Sequence, residues 1–155
     1  DFSKRFFKTL ADNNIISLES NWEQYVTSGR FYRDFYLGDV VKYRVDGFGK
    51  RAERTSYETH LVTELQALDP ELIITFGGNA WDALRRYAAP TSAVETEADA
   101  ESVMDIHGIL HSIKTPVDTL VLPLAHMSSQ VWWRFPPDDY ISRLDSGLRA
   151  WQALQ

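Results

Sequence analysis

Cysteine is absent from these 155 residues. That excludes disulfides and any cysteine-held iron–sulfur cluster. No apolar run approaches the roughly 18 residues of a membrane-spanning helix, and no secretory signal pattern is present. These absences lead us to expect an intracellular, cytoplasmic protein with no membrane partner. Basic side chains are in the minority, 16 Lys and Arg against 22 Asp and Glu, for a net charge of −6. That balance speaks mildly against nucleic acid, which prefers basic surfaces, unless the charge is unevenly distributed. There is no internal repeat, no low-complexity tract, no full dinucleotide fingerprint and no P-loop. What is present is a chain that is 44% hydrophobic and 13% aromatic, enough to bury a real core as a single domain spanning residues 1–155. The first residue is Asp1 rather than Met, and the expectation is a native chain that starts earlier.

The most informative stretch runs from Leu120 to Phe135. Leu120-Val121-Leu122 reads as a short buried strand closed by Pro123. His126 follows at the strand's exit, with Ser128 and Ser129 just beyond. In parallel α/β sheets, ligands bind at the carboxyl ends of strands, so this histidine is well placed for chemistry. Val131, Trp132, Trp133 and Arg134 come next, before Pro136-Pro137. So much apolar area beside a polar cluster suits a wedge or stacking surface. The plainer reading has His126 capping a loop and the tryptophans in the core.

The remaining elements are read from periodicity. Phe2, Phe6, Phe7 and Leu10 recur at helical spacing, and Asp12-Asn13-Asn14 ends that helix. Another helix is expected around Trp22, Tyr25 and Val26, stopped by Gly29. Phe35 to Tyr43 reads as a strand carrying Asp39. From Lys42 to Arg54 there are five basic and two acidic side chains, a basic loop that the net charge conceals; Lys50 and Arg51 lie at its centre. Thr55 and Glu58 have capping-box spacing ahead of a helix whose apolar face is Tyr57, Leu61, Leu65 and Leu68. Asp69-Pro70 ends it. Leu72 to Phe76 is a buried strand. Gly77-Gly78-Asn79 turns the chain into a helix with Ala80, Leu84 and Tyr87 inward. A strand, a glycine turn and a helix N-terminus make a ready anion site, or simply a connection.

Thr91 to Asp105 is acidic and reads as an exposed loop, a weak helix or an insertion. Ile106 to Ile113 suggests a strand. His107 and His111 have the spacing of a zinc pair, but the catalytic glutamate position holds Gly108 and no third ligand is evident, so neither metal nor cofactor is expected. The last helix spans Asp138 to Leu154, with Tyr140, Ile141, Leu144, Leu148 and Trp151 on its apolar face. Pro136-Pro137 opens it, and Asp138-Asp139 suit its dipole.

The order of elements is α/β. Taken together, three motifs resemble the uracil-DNA glycosylase superfamily over Phe35 to the end of the chain. Asp39-Val40-Val41-Lys42-Tyr43-Arg44 looks like the strand that reads Asn-Val-Val-Lys-Cys-Arg in iron–sulfur members. Glu71 to Ala80 is similar to the strand, glycine turn and alanine. Leu122 to Ser129 is similar to the closing His-Pro-Ser motif. The resemblance implies a three-layer α/β/α sandwich with a small, mostly parallel central sheet. It implies hydrolysis of the N-glycosidic bond of a flipped base in DNA by a monomer.

In that frame His126 is the catalytic donor and Asp39 faces the base. Gly77, Gly78, Asn79, Ser128, Ser129, Lys50 and Arg51 contact phosphates. Val131, Trp132 or Trp133 fills the gap left by the flipped base. The departures are informative. Tyr43 stands at the cluster-cysteine position, Met127 replaces the proline after the histidine, and Asp39 replaces the asparagine that reads uracil. The first motif, a Gly-Pro-Gly-like loop with the water-activating residue, is not in the chain, and its strand would lie ahead of residue 1. The alternatives are an inactive nucleic-acid-binding module of the same fold, or an unrelated α/β hydrolase or interaction protein with a structural His126.

Overall fold

The computed structural model describes residues 1–19, 21–38, 55–88, 91–92, 102–114, 117–127 and 129–155; of residues 58, 86–88, 91, 92, 129 and 130 it describes the backbone alone. In chain order the elements are α1 (Phe2–Asp12), α2 (Trp22–Thr27), α3 (Phe31–Asp34), a π-helical turn (Tyr57–Leu61) continuing into α4 (Val62–Leu68), and β1 (Leu72–Phe76). Then come α5 (Gly78–Ala88), β2 (Thr91–Ser92), β3 (His111–Ile113), β4 (Thr119–Leu124), α6 (Ser129–Trp132) and α7 (Pro137–Gln152). They form two compact units. One is helical, residues 1–37 with 129–155; the other, residues 38–128, holds the sheet.

The helical unit follows its sequence pattern closely. The Asp1 carboxylate accepts from the Ser3 N–H and caps α1, meeting one of the free donors of the first turn. Asn21 does the same for α2 through the Gln24 N–H at 2.8 Å, and Gly29, at φ +77°, follows that helix. Pro137 occupies the first turn of α7, where a missing N–H removes no helical bond. Aromatic rings fill the interior. Phe2 lies 4.7 Å from Trp132 and meets Tyr140 edge-on at 5.4 Å. Phe7 stacks on Trp22 at 5.7 Å and presents edges to Tyr25 and Phe31. Such pairs contribute about 0.5–1.5 kcal/mol each beyond their area.

Polar ties fix the register of α1 on α7. The Asn13 amide donates to Asp145 Oδ1 at 2.7 Å and to the Thr9 carbonyl at 2.9 Å, and the Gln152 amide donates to the Asn13 carbonyl. The Asn13 hydrogen bond, with Arg149 beside it, holds the Asp145 carboxyl below its usual range. Arg5 pairs with Asp138. The Tyr25 hydroxyl donates to Asp34 at 2.8 Å; burial first, then that bond, push it above the ordinary phenol value.

In the sheet unit the strand order is β1-β4-β3-β2. β1 pairs with β4 in parallel, Leu72 opposite Leu120 through Phe76 opposite Leu124. β4 with β3 and β3 with β2 are antiparallel. The described sheet is therefore mixed rather than mostly parallel, with one parallel and two antiparallel pairs. Val121, Leu122 and Leu124 are fully buried, as expected of a strand with neighbours on both sides. Tyr57, Leu65, Trp81, Leu84, Ile113 and Val121 share one hydrophobic core.

Several local expectations shift. Thr55 is already helical, so it is not a cap. Leu68 is exposed, while Trp81 rather than Ala80 is the large inward residue of α5; the Tyr87 side chain lies outside the described residues. Phe35 to Gly38 form no strand, and residues 39–54, with the basic loop, lie outside the described residues. The expected strand over Ile106–Ile113 is reduced to His111–Ile113. Gly108, at φ +80°, is in a left-handed conformation that turns the chain out of the extended state.

Candidate active site

Parallel pairing brings the carboxyl ends of β1 and β4 to the same edge of the sheet. Gly77 follows Phe76, and Ala125 and His126 follow the opposite residue, Leu124. The Gly77 N–H donates to the Leu124 carbonyl at 2.8 Å, extending the ladder one residue past the end of β1. Gly77 sits at φ +89°, and a methyl added to it would lie 3.4 Å from His126 Cβ and 3.8 Å from Cδ2. The imidazole of His126 thus lies over a glycine that has no side chain to displace it. His126 is exposed to solvent.

Helix α5 begins at Gly78, one residue beyond that glycine. Its first turn carries backbone N–H groups without intrahelical partners and the positive end of the helix dipole. Gly78 and Asn79 lie in this turn, Asn79 exposed. A carboxylate or phosphate oxygen approaching the edge would meet donors from the helix and from His126.

The exit of β4 is held from its other flank as well. The Gly108 N–H donates to the Pro123 carbonyl at 2.9 Å. The Ala125 N–H donates to His107 Nδ1 at 3.2 Å, and both residues are fully buried. At the start of β4, the Thr119 hydroxyl donates to the Pro70 carbonyl. His111 is buried in β3 with its ring 4.9 Å from the Trp81 indole. Burial pushes its imidazole below the usual histidine value, so it is neutral at pH 7. Among the described residues no group of three His, Asp or Glu side chains gathers to hold a metal ion. One nitrogen of the His107–His111 pair is already engaged by Ala125.

Gly77, Gly78, Asn79 and His126 therefore meet at one edge. Asp39, Lys50, Arg51 and Ser128 lie outside the described residues. Ser129 opens the short helix α6 in the helical unit. There Val131 is buried, Trp132 packs on Phe2 and Tyr140, and Trp133 is 81% exposed. Sequence reasoning missed the part of His107. Its spacing from His111 suggests only a zinc pair, which the missing third ligand argues against, and its bond reaches 18 residues along the chain, beyond any local pattern. The one available signal was Pro123, a residue without a ladder donor inside the buried run.

The family model described as Uracil DNA glycosylase superfamily matches residues 2–155. No curated protein and no solved structure matches the chain.

Proposed function

Since this chain belongs to the uracil-DNA glycosylase superfamily, we propose that it hydrolyses the N-glycosidic bond joining a flipped uracil, or another damaged base, to deoxyribose in DNA. One observation carries the reading: Gly77 and His126 meet at the carboxyl ends of two parallel strands, where α5 also begins. Base excision needs such an edge. The base departs as an anion while the sugar develops positive charge. His126 donates a hydrogen bond to the base oxygen on which the negative charge grows, strongest when water is excluded. The N–H groups of Gly78 and Asn79, with Ser128 and Ser129, hold flanking phosphates, which position the strand without reading its sequence. Lys50 and Arg51 track the backbone. Trp133, the exposed ring of the three wedge candidates Val131, Trp132 and Trp133, offers an apolar surface on which a base can stack.

Asp39 sets the base preference. Uracil offers an acceptor at its 4-oxygen and a donor at the adjacent ring N–H, and an asparagine amide answers both. An ionised aspartate only accepts. A buried polar group left unmet costs about 1–3 kcal/mol. Asp39 therefore acts protonated, or it faces a base with an exocyclic amine. The complete fold in this reading is a three-layer sandwich acting as a monomer without a cofactor.

The test incubates the full chain with oligonucleotides carrying uracil or other lesions and follows free base by chromatography. Release of a base supports the reading, and Asp39→Asn should then shift preference toward uracil. A second reading is favoured by one observation: Asp39 stands where the family's asparagine reads the base. In that reading the chain is a nucleic-acid-binding module, which binds an abasic oligonucleotide and releases no base from any substrate.

A further inference from the structure

We propose that His107 is the positioning residue for His126, holding the backbone that enters the catalytic histidine through an imidazole acceptor in place of a strand carbonyl. This rests on the reading of His126 as the donor to the leaving base.

Pro123 lies within β4. β4 is an inner strand, where proline is disfavoured because it cannot donate to the ladder. The Pro123 carbonyl accepts from the Gly108 N–H, so it faces the β3 side. Within a strand the nitrogen of a residue points to the same side as its carbonyl. The missing N–H therefore falls beyond His111, the first residue of β3 and the partner of Val121, where no strand remains to receive it. Proline costs no ladder bond there. Two residues on, Ala125 again turns its N–H to that side. It is fully buried and needs an acceptor. With β3 absent, the acceptor is His107 Nδ1.

The segment is thus held at three successive residues: the Pro123 carbonyl by Gly108, the Leu124 carbonyl by Gly77, and the Ala125 N–H by His107. These bonds fix the two peptide planes on either side of Leu124, the second of which carries the Ala125 N–H, and so anchor the backbone immediately ahead of His126. The left-handed Gly108, at φ +80°, allows the His107-Gly108 pair to offer a ring acceptor and a backbone donor to the same strand. An accepting Nδ1 carries no proton, which assigns the ring proton of His107 to Nε2. His107 never meets the base. It acts by keeping His126 within the small tolerance that proton and hydrogen-bond transfer require.

The experiment compares the full chain with His107→Asn, whose side-chain oxygen lies near the place of Nδ1, and His107→Phe, which keeps a ring and removes the acceptor. On the substrate the wild type cleaves, His107→Phe should lower kcat by about a hundredfold, the scale of a 1 Å misplacement, with KM little changed. His107→Asn should recover most of that loss. A folded His107→Phe with wild-type kcat overturns the proposal, and so does an Asn variant no better than Phe. Nitrogen NMR on the wild type provides a reading independent of activity and of variant folding: His107 Nδ1 should be unprotonated and the Ala125 amide protected from exchange. A protonated Nδ1 or a freely exchanging Ala125 amide overturns the positioning itself. If the chain releases no base while these NMR results hold, the glycosylase reading fails and the positioning of His126 stands.

Discussion

The helical unit and the sheet unit solve burial with different materials. The helical unit stacks rings, Phe2 on Trp132 and Tyr140, Phe7 on Trp22, and ties its helices with Asn13 and Asp145. The sheet unit buries branched aliphatic side chains along β4 and places histidines where the strands stop. The candidate chemistry lies at the second kind of place. A strand end presents backbone groups that no ladder completes, and these either bind something or are held by side chains. The end of β4 is held by the buried His107 and leaves His126 exposed. The comparison teaches that damage in the buried interior of the helical unit should read as lost stability, while damage at the strand ends should read as lost chemistry.

The largest effect that tests this division is Leu144→Ala in α7. Leu144 is fully buried, and such truncations cost about 2–5 kcal/mol. Denaturant unfolding should show that loss, while base excision by the folded fraction stays unchanged. A drop in kcat without a drop in stability would break the division.

A matched pair of glycines sharpens it. Gly29 in the helical unit and Gly77 at the strand end both have positive φ, +77° and +89°. Alanine at either is strained by about 1–3 kcal/mol, and thermal melts should show similar losses. A new methyl at Gly29 has nothing within 4 Å, whereas at Gly77 it lies 3.4 Å from His126 Cβ. Relaxing Gly77 also disturbs its bond to the Leu124 carbonyl. Only Gly77→Ala should therefore slow excision.

Acid separates the units more gently. Burial lowers the imidazole of His111, so the unfolded chain takes up that proton first. Stability is full above the ordinary histidine value and falls as pH drops from about 6.5 toward the lower folded value, by about 1.4 kcal/mol per pH unit at most. His111→Phe should flatten that slope. Asp145, lowered chiefly by the Asn13 hydrogen bond, contributes stability above the ordinary carboxylate value and loses it as pH falls through its folded value. Its loss comes below about pH 4, and Asn13→Ala should remove it without touching the near-neutral slope. Unfolding midpoints from pH 3 to 8 check both.

Much of this was legible in the residues themselves. Helical spacing located α1 and α7 to within a few residues, because amphipathic periods and the Pro136-Pro137 start are local signals. β1, the Gly77 turn and β4 were legible for the same reason. The strand expected at Ile106 was not, since its apolar run satisfies burial in a turn as well as in a strand, and only the left-handed Gly108 separates them. Trp81 escaped because the pattern through Ala80 and Leu84 left it off the apolar face, whereas His111 in another strand draws its ring inward. The direction of strand pairing and the His107 bond depend on residues far apart in sequence. The parts expected of Asp39 and the basic loop fall outside the described residues.

The most direct measurement compares base release by the full chain and by His126→Ala, with unfolding midpoints recorded for both. Losing one donor to a developing anion is worth about 2.7–4 kcal/mol, on the order of a hundred to a thousand in rate. His126 is exposed, so the midpoints should coincide. A loss of that size at equal stability is the predicted result. Equal rates of base release from the two proteins would contradict the account, because the histidine at the end of β4 would then take no part in the chemistry.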